Sequence, residues 1–264
     1  FSVGDTVSAK DGGSFAGNVA MAGDLTVDTN TLIVDASANS VGIGGTPDSN
    51  RDLHIKRTGA NASILIEETS AVNYAQFIEL KDSSTSWFLA NRYATSNSGN
   101  TGFGIGTTNS GDMLQIDASG AVTMPLQPAF LAQPASQQAN IGEGSEIDIA
   151  FGTERFDQNG DFASSVFTAP VTGKYFLSYS LWISNIDSVP SYFETYLTTS
   201  NRQYLHTFDP RGLAQDAGSR TINNALVADM DAGDTAKIQI LIQSSGTVQS
   251  DVENYSFFSG YLVA

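Results

Sequence analysis

Residues 167–179 read Phe-Thr-Ala-Pro-Val-Thr-Gly-Lys-Tyr-Phe-Leu-Ser-Tyr, and this stretch decides the fold class. Pro170 and Gly173 predict a turn, because proline presets φ and glycine accepts a positive φ. From Tyr175 as far as Ile183, apolar side chains alternate with others, so that one face of an extended chain is apolar. The stretch therefore predicts a turn followed by a long central strand.

The rest of the chain follows the same pattern. Gly, Ser, Thr, Asn and Asp recur every few residues between short apolar runs, which is typical of sheets joined by turns. The clearest runs are residues 32–34, 53–55, 64–66, 77–80, 87–89, 147–149, 175–183, 195–197, 225–227, 238–242 and 257–263. We therefore predict an all-β fold.

Composition excludes several classes of protein. The 264 residues carry 28 acidic and 12 basic side chains, for a formal net charge of −16. This charge argues against binding to nucleic acid or to an anionic membrane, since both need positive charge. The chain has no cysteine, which excludes disulfides and thiolate metal sites. It begins at Phe1 without a methionine, so we expect it to be a piece of a longer protein.

The first half of the chain contains an internal repeat of a strand–turn–strand unit. The matching segments are 31–37 with 113–119, 41–44 with 103–106, and 23–27 with 120–124. Such a repeat predicts repetitive stacking of similar units. Glycines alternate with Val or Ile at 41–44, and this suits backbones that approach closely, as at the axis of an intertwined trimer.

The repeated segments resemble bacteriophage tail-fibre and tailspike proteins over about residues 20–124. Val-Gly-Ile-Gly at 41–44 and Asp-Ala-Ser-Gly-Ala-Val-Thr at 117–123 carry the resemblance. It implies an elongated trimeric β shaft, or β-prism. We expect this shaft to span residues 1–124, with a small β insert at 52–92.

Prolines mark a boundary after the predicted shaft. Pro125, Pro128 and Pro134 interrupt strand pairing, because proline lacks a backbone N–H, and they stiffen the chain. We therefore predict that residues 125–134 hold a linker and the first strand of a second domain. That domain, the head, is predicted to span residues 129–264.

Several motifs in the head resemble the complement C1q globular head family. In chain order they lie at residues 129–132, 147–151, 167–179, 227–240 and 255–262. The resemblance implies a ten-strand jelly roll related to the tumour necrosis factor heads. It also implies a homotrimer that works by binding and not by catalysis.

No catalytic motif stands out in the sequence. His54 and His206 have no sequence partner that suggests a triad, and neither a G-x-S-x-G elbow nor a phosphate loop occurs. We therefore expect no enzymatic activity. One catalytic alternative stays open, because some phage tailspikes hydrolyse glycans with paired carboxylates and acidic residues are spread along this chain.

Calcium is the one candidate cofactor. In the C1q-like family a loop near the trimer apex holds calcium with acidic residues, and residues 207–216 occupy its place here. Asp209 and Asp216 match by residue type and are the candidate ligands. The loop is one residue short, and Pro210 stands where the second acid is usual, so a solvated loop without metal is favoured.

Receptor-binding candidates lie in the predicted loops of the head. They are Asp187, Tyr192, Arg202, Tyr204 and Arg211. Aromatic side chains beside Asn, Arg and Asp suit sugars, because a ring stacks on the apolar face of a sugar while polar groups take its hydroxyls.

These observations predict a phage tail fibre, located in the virion, whose trimeric head binds a bacterial surface receptor, either a glycan or an outer-membrane protein. Three weak sites at one tip would gain avidity through effective concentration. We expect the missing N-terminal part to join other tail or virion proteins. The alternatives are a structural fibre or decoration segment with the head as trimerisation module, a glycan-degrading tailspike, and an adhesin on a bacterial cell surface.

Overall fold

A computed structural model describes residues 23–27, 31–67, 76–92, 102–107, 113–244 and 248–264. The chain divides into two compact units, residues 1–67 and 68–264. The described elements are β-strands apart from one 3-10 helix, Pro210–Gly212. The all-β prediction is therefore confirmed. No helix in the described ranges is long and apolar enough to cross a membrane.

The first unit contains a four-stranded sheet, here called the N-terminal sheet. Its strands, in spatial order, are β1 (Leu25–Val27), β2 (Leu32–Asp35), β3 (Ser40–Ile43) and β4 (Leu53–Ile55). Neighbours are antiparallel except β3 and β4, which are parallel. The strand predicted at 64–66 is wrong, because this run pairs with no strand among the described residues and leaves Leu65 80% exposed.

The second unit begins with a five-stranded antiparallel sheet, here called the middle sheet. Its strands, in spatial order, are β5 (Gln76–Lys81), β6 (Ser86–Arg92), β7 (Gly102–Gly106), β8 (Leu114–Asp117) and β9 (Val122–Thr123). Each strand is joined in sequence to its neighbour in space, which keeps the pairing local.

The repeat seen in the sequence returns as a repeated turn. Asp35 ends β2 and Asp117 ends β8, and each carboxylate accepts hydrogen bonds from the serine two residues on. Asp35 Oδ1 lies 2.9 Å from the backbone N and 2.6 Å from the hydroxyl of Ser37. The corresponding distances from Asp117 Oδ1 to Ser119 are 2.8 and 2.6 Å. The same side chain therefore closes the hairpin in both copies.

The head consists of two packed sheets. Its strands are β10 (Ala129–Gln133), β11 (Gln138–Gly142), β12 (Ile147–Asp148), β13 (Thr153–Asp157), β14 (Phe162–Ala163), β15 (Val166–Thr168), β16 (Gly173–Ile186), β17 (Tyr192–Thr199), β18 (Gln203–Phe208), β19 (Ala217–Met230), β20 (Thr235–Gln243), β21 (Gln249–Val252) and β22 (Phe257–Leu262). Sheet I runs β11-β21-β16-β22-β10-β13, with β19 on the other side of β16, and sheet II runs β14-β15-β20-β17-β18, with β12 beside β20. Two antiparallel sheets in this order form a jelly roll; the count of ten strands stays a prediction.

The core of the head lies between the two sheets. The predicted long strand is β16, and the side chains of Tyr175, Leu177 and Tyr179 on its inner face are fully buried. The Phe130 ring stacks on the Phe167 ring with their centres 4.9 Å apart. Other rings that surround Phe130 are those of Phe162 and Phe258. The alternation that opened the sequence analysis therefore fills the centre of the jelly roll with aromatic residues.

The linker after the middle sheet is fixed to the head by side-chain amides. Gln158 Nε2 donates to the carbonyl oxygens of Met124 and Gln127, at 2.8 and 3.0 Å. Gln127 Nε2 in turn donates to the carbonyl oxygen of Leu262, at 2.9 Å. The chain therefore enters the head at a fixed point beside the ends of β10 and β22. The predicted boundaries at 124, 125–134 and 129 stay predictions.

Candidate functional site

The strand register shows which loops of the head lie at the same end. The end where the linker meets β10 is here called the proximal end, and it also holds the turn at residues 200–202. At the distal end, Ile186 pairs with Ala217 and Phe193 pairs with Phe208. The loops 187–191 and 209–216 therefore lie together, on the opposite end from the linker.

Arg211 is held between a carboxylate and an aromatic ring at the distal end. Asp209 accepts hydrogen bonds from Nε and Nη2 of Arg211, at 3.0 and 2.7 Å. The guanidinium carbon lies 5.2 Å from the centre of the Tyr192 ring. The Arg211 side chain therefore holds the pKa of the Asp209 carboxyl below its usual value, and the carboxylate raises the pKa of Arg211. This arrangement presents a cation, a carboxylate and a ring side by side.

Local sequence explains why Asp209 takes this position. Pro210 begins the 3-10 helix, where its missing N–H is no loss, and Asp209 caps that helix by accepting from the backbone N of Arg211 at 3.0 Å. The cap points the carboxylate toward the Arg211 side chain.

Asp216 joins the two distal loops. Its Oδ1 accepts hydrogen bonds from the backbone N and the hydroxyl of Ser188, at 2.9 and 2.6 Å. These hydrogen bonds, the hydroxyl first, lower the pKa of the Asp216 carboxyl. Asp187, in the same loop, accepts from the backbone N of Val189 at 3.0 Å. Val189 is 66% exposed, so the loop offers an apolar contact at its surface.

A second stack of arginine on an aromatic ring lies beside these loops and was not predicted. The guanidinium carbon of Arg220 lies 4.0 Å from the centre of the Phe208 ring. Phe208 ends β18 in sheet II and Arg220 lies in β19 in sheet I, so the two come together only in the folded head. No local motif in the sequence indicates such a pair.

The remaining predicted receptor residues lie elsewhere. Arg202 is in the turn at the proximal end, where its Nη2 contacts Asp229 Oδ2 at 2.9 Å. The Tyr204 side chain is half-buried and packs against the core. Of the five predicted residues, the structure therefore brings Asp187, Tyr192 and Arg211 to one end and separates the other two from them.

The residues predicted as calcium ligands do not fit a calcium site. Asp209 is paired with Arg211, and Asp216 with Ser188, so each carboxylate already has donors from the chain. Within the ranges that the structure describes, no three His, Asp or Glu side chains are grouped closely enough to hold a metal ion. Calcium needs several oxygen ligands at once.

Sheet I carries an apolar patch on its outer face. Phe176, Val227 and Tyr261 are paired across β16, β19 and β22 and therefore share this face. Val227 is 55% and Tyr261 49% exposed. Ser178 and Ser259 lie beside these residues on the same face, so the apolar side chains form a local patch. On the outer face of sheet II, Tyr196 donates to Glu194 at 2.9 Å, and burial, followed by that carboxylate, raises the pKa of Tyr196 to about 12.

Comparison with known proteins places a family match on the head. The chain matches the C1q domain over residues 129–263. The globular domain of zebrafish complement 1qA protein is 16% identical over 52% of this chain and 98% of its own, with a TM-score of 0.40. Murine APRIL, in a crystal structure at pH 8.0, is 9% identical over 52% of this chain and 99% of its own, with a TM-score of 0.38. No curated protein matches the chain.

Proposed function

Because this chain belongs to the C1q domain family through residues 129–263, we propose that it is a homotrimeric attachment protein whose head binds a receptor on a bacterial surface. C1q-like domains typically form homotrimers, and they are known for binding. In this proposal the chain is part of a phage tail fibre in the virion, and residues 1–124 form its trimeric shaft. The head binds without catalysis.

The observation that carries the proposal is the position of the Tyr192–Arg211–Asp209 cluster. The linker meets the head at the proximal end, and the cluster lies at the distal end, so a head carried on a shaft points the cluster away from it. Arg211 and Tyr192 are both partly exposed, and a ring beside a paired cation suits a glycan or a polar protein surface.

The apolar patch on the outer face of sheet I supports the proposed trimer. Soluble monomers rarely expose contiguous apolar patches of more than a few hundred Å². Packing Phe176, Val227 and Tyr261 against other copies removes this surface from water. Three distal clusters then lie at one tip, and their combined avidity exceeds the affinity of each.

The experiment that tests the proposal is binding of the labelled chain to a panel of bacterial cells. We expect Tyr192→Ala and Arg211→Ala to reduce bound label by about tenfold or more, since both lie in the proposed contact. Arg202→Ala, at the proximal end, is the matched control and leaves binding unchanged. If only Arg202→Ala abolished binding, the binding site would lie at the proximal end of the head.

A second candidate function has its own support. The cations of the head's candidate sites have partners within the chain: Arg211 has Asp209, Arg202 has Asp229, and Arg220 lies over Phe208. Groups already satisfied in this way favour a structural fibre segment in which the head serves as trimerisation module. A confirmed trimer that binds none of the cells, in a panel that includes the host, would select this function.

A further inference from the structure

The middle sheet has one face made of apolar side chains. Register places on it, from strand to strand, the side chains of Ile78, Leu80, Trp87, Leu89, Phe103, Ile105, Leu114, Ile116 and Val122. The opposite face carries Glu79, Gln115, Thr123 and the glycines of β7, and also Phe77, Phe88 and Ala90. The first face is therefore the more apolar of the two, as a face is when it packs against another layer.

That apolar face is open in the single chain. Leu80 is 57%, Val122 58% and Ile78 49% exposed. Trp87 and Phe103, on the same face, are exposed by 43% and 41%. Together these side chains expose an apolar area on the order of 500 Å², and patches of that size mark interaction surfaces.

The N-terminal sheet repeats the arrangement. Its register places on one face the side chains of Leu25, Val27, Leu32, Val34, Val41, Ile43, Leu53 and Ile55. Leu53 is 53%, Val27 45% and Ile43 41% exposed. Two sheets that share a sequence repeat thus also share an open apolar face. A single layer of this kind needs a second layer for stability.

We propose that each of these faces packs against the same face of two other copies of this chain. The inference rests on the proposed homotrimer and names the surfaces by which residues 23–55 and 76–123 take part in it. In this arrangement Val122, Leu80 and Trp87 lie in the interface with their neighbours. Thr123 and Lys81 stay exposed to solvent.

The connection to the head indicates that other copies of this chain cover the apolar face of the middle sheet. The middle sheet ends at Thr123, and the amide contacts of Gln127 and Gln158 fix the following linker to the head. Where three heads assemble, three copies of the middle sheet are therefore held at high effective concentration. Among the described residues of this face no side chain is charged, so it matches a copy of itself better than a charged partner.

The absence of cysteine allows a direct test. Single substitutions Val122→Cys and Leu80→Cys, in the full chain, place a thiol on the apolar face. Thr123→Cys and Lys81→Cys are matched controls, since they are exposed neighbours on the other face. We expect a maleimide reagent to modify the first pair at least about tenfold more slowly than the second in the assembled protein, because packed surfaces resist access.

Sedimentation of each variant separates the two proposals. A trimer in which Val122→Cys and Leu80→Cys are protected supports both. A trimer in which all four positions react equally fast overturns this inference and leaves the homotrimer intact. A monomer overturns both, whatever the labelling rates. Leu53→Cys, with Asp52→Cys as its control, tests the N-terminal sheet in the same way.

Discussion

Ser164 and Ser165 form the two-residue turn between β14 and β15, and both have a positive φ, of 51° and 70°. Hairpin turns of this kind favour Asn or Gly, since other residues are strained in the left-handed region. Ser165 also accepts a hydrogen bond from the backbone N of Phe151 at 2.8 Å, whereas Ser164 is exposed.

We expect Ser164→Asn to raise the free energy of unfolding by about 0.5 kcal/mol, because asparagine tolerates this conformation better. As a matched pair, Ser165→Ala should cost about 1 kcal/mol more than Ser164→Ala, the value of the lost hydrogen bond. Chemical denaturation measures all three. Equal stability of the two alanine variants would show that the Phe151 contact contributes nothing.

Tyr179 and Thr195 share a hydrogen bond of 2.6 Å inside the head, where both residues are fully buried. Burial raises the pKa of Tyr179, so its hydroxyl stays neutral. We expect Tyr179→Phe to destabilise the head by about 1–3 kcal/mol, because the Thr195 hydroxyl is left without this partner. The double variant with Thr195→Val should cost less than the two single changes together, as a denaturation cycle will show. Additive costs would mean that the two hydroxyls are not coupled.

The candidate site was only partly predictable at the scale of residues. Tyr192 and Arg211 were chosen for their residue types in predicted loops, and both choices lie at the distal end. Their contact was not predictable, since 192 and 211 are joined only through the pairing of β17 with β18. Tyr204 looks like a surface residue in sequence, yet alternation along β18 turns it toward the core.

At the scale of elements, the matching turns at Asp35 and Asp117 lead to a prediction about the pH at which the Asp117 carboxyl titrates. The Ser119 hydroxyl and the backbone N of Ala121 favour the charged carboxylate, so the pKa of Asp117 is lowered from 3.8. A carboxyl with a lowered folded pKa stabilises fully above its unfolded pKa, and that contribution is lost as pH falls through the folded pKa. We expect the carboxyl ¹³C resonance of Asp117 to titrate below pH 3.8. Ser119→Ala should raise this midpoint, and an unchanged midpoint would contradict the assigned contact.

Elements with their own apolar alternation were predictable, and elements that depend on neighbours were not. The run at 53–55 coincides with β4, and the run from Tyr175 falls inside β16. By contrast, the sequence pattern indicated only residues 225–227 of β19. Its first half, Gly218 to Asn224, is largely polar and is a strand because it pairs with β16 along its length. The error at 64–66 is the reverse case, an apolar run without a partner strand.

At the scale of the whole molecule, the apolar patch on the outer face of sheet I predicts how the proposed trimer responds to charge. Val227→Asp should weaken the trimer, because it places a carboxylate in the proposed interface, where burial of an unpaired charge is costly. Val171→Asp is the control, since Val171 is 47% exposed and lies in the turn before β16. Sedimentation across a dilution series measures dissociation. Equal behaviour of the two variants would place the interface on another surface.

The linker meets β10 at one end of the head, and the Tyr192–Arg211–Asp209 cluster lies at the other. If the head binds a receptor through that cluster, as proposed, the receptor and the linker pull along the strands. Hydrogen bonds between antiparallel strands are perpendicular to the strand direction. Tension then acts in shear on all the bonds that join β10 to β22 and β13 at once, and does not open them one by one. In the proposed attachment role, the jelly roll is thus loaded in the direction in which its strands resist separation best.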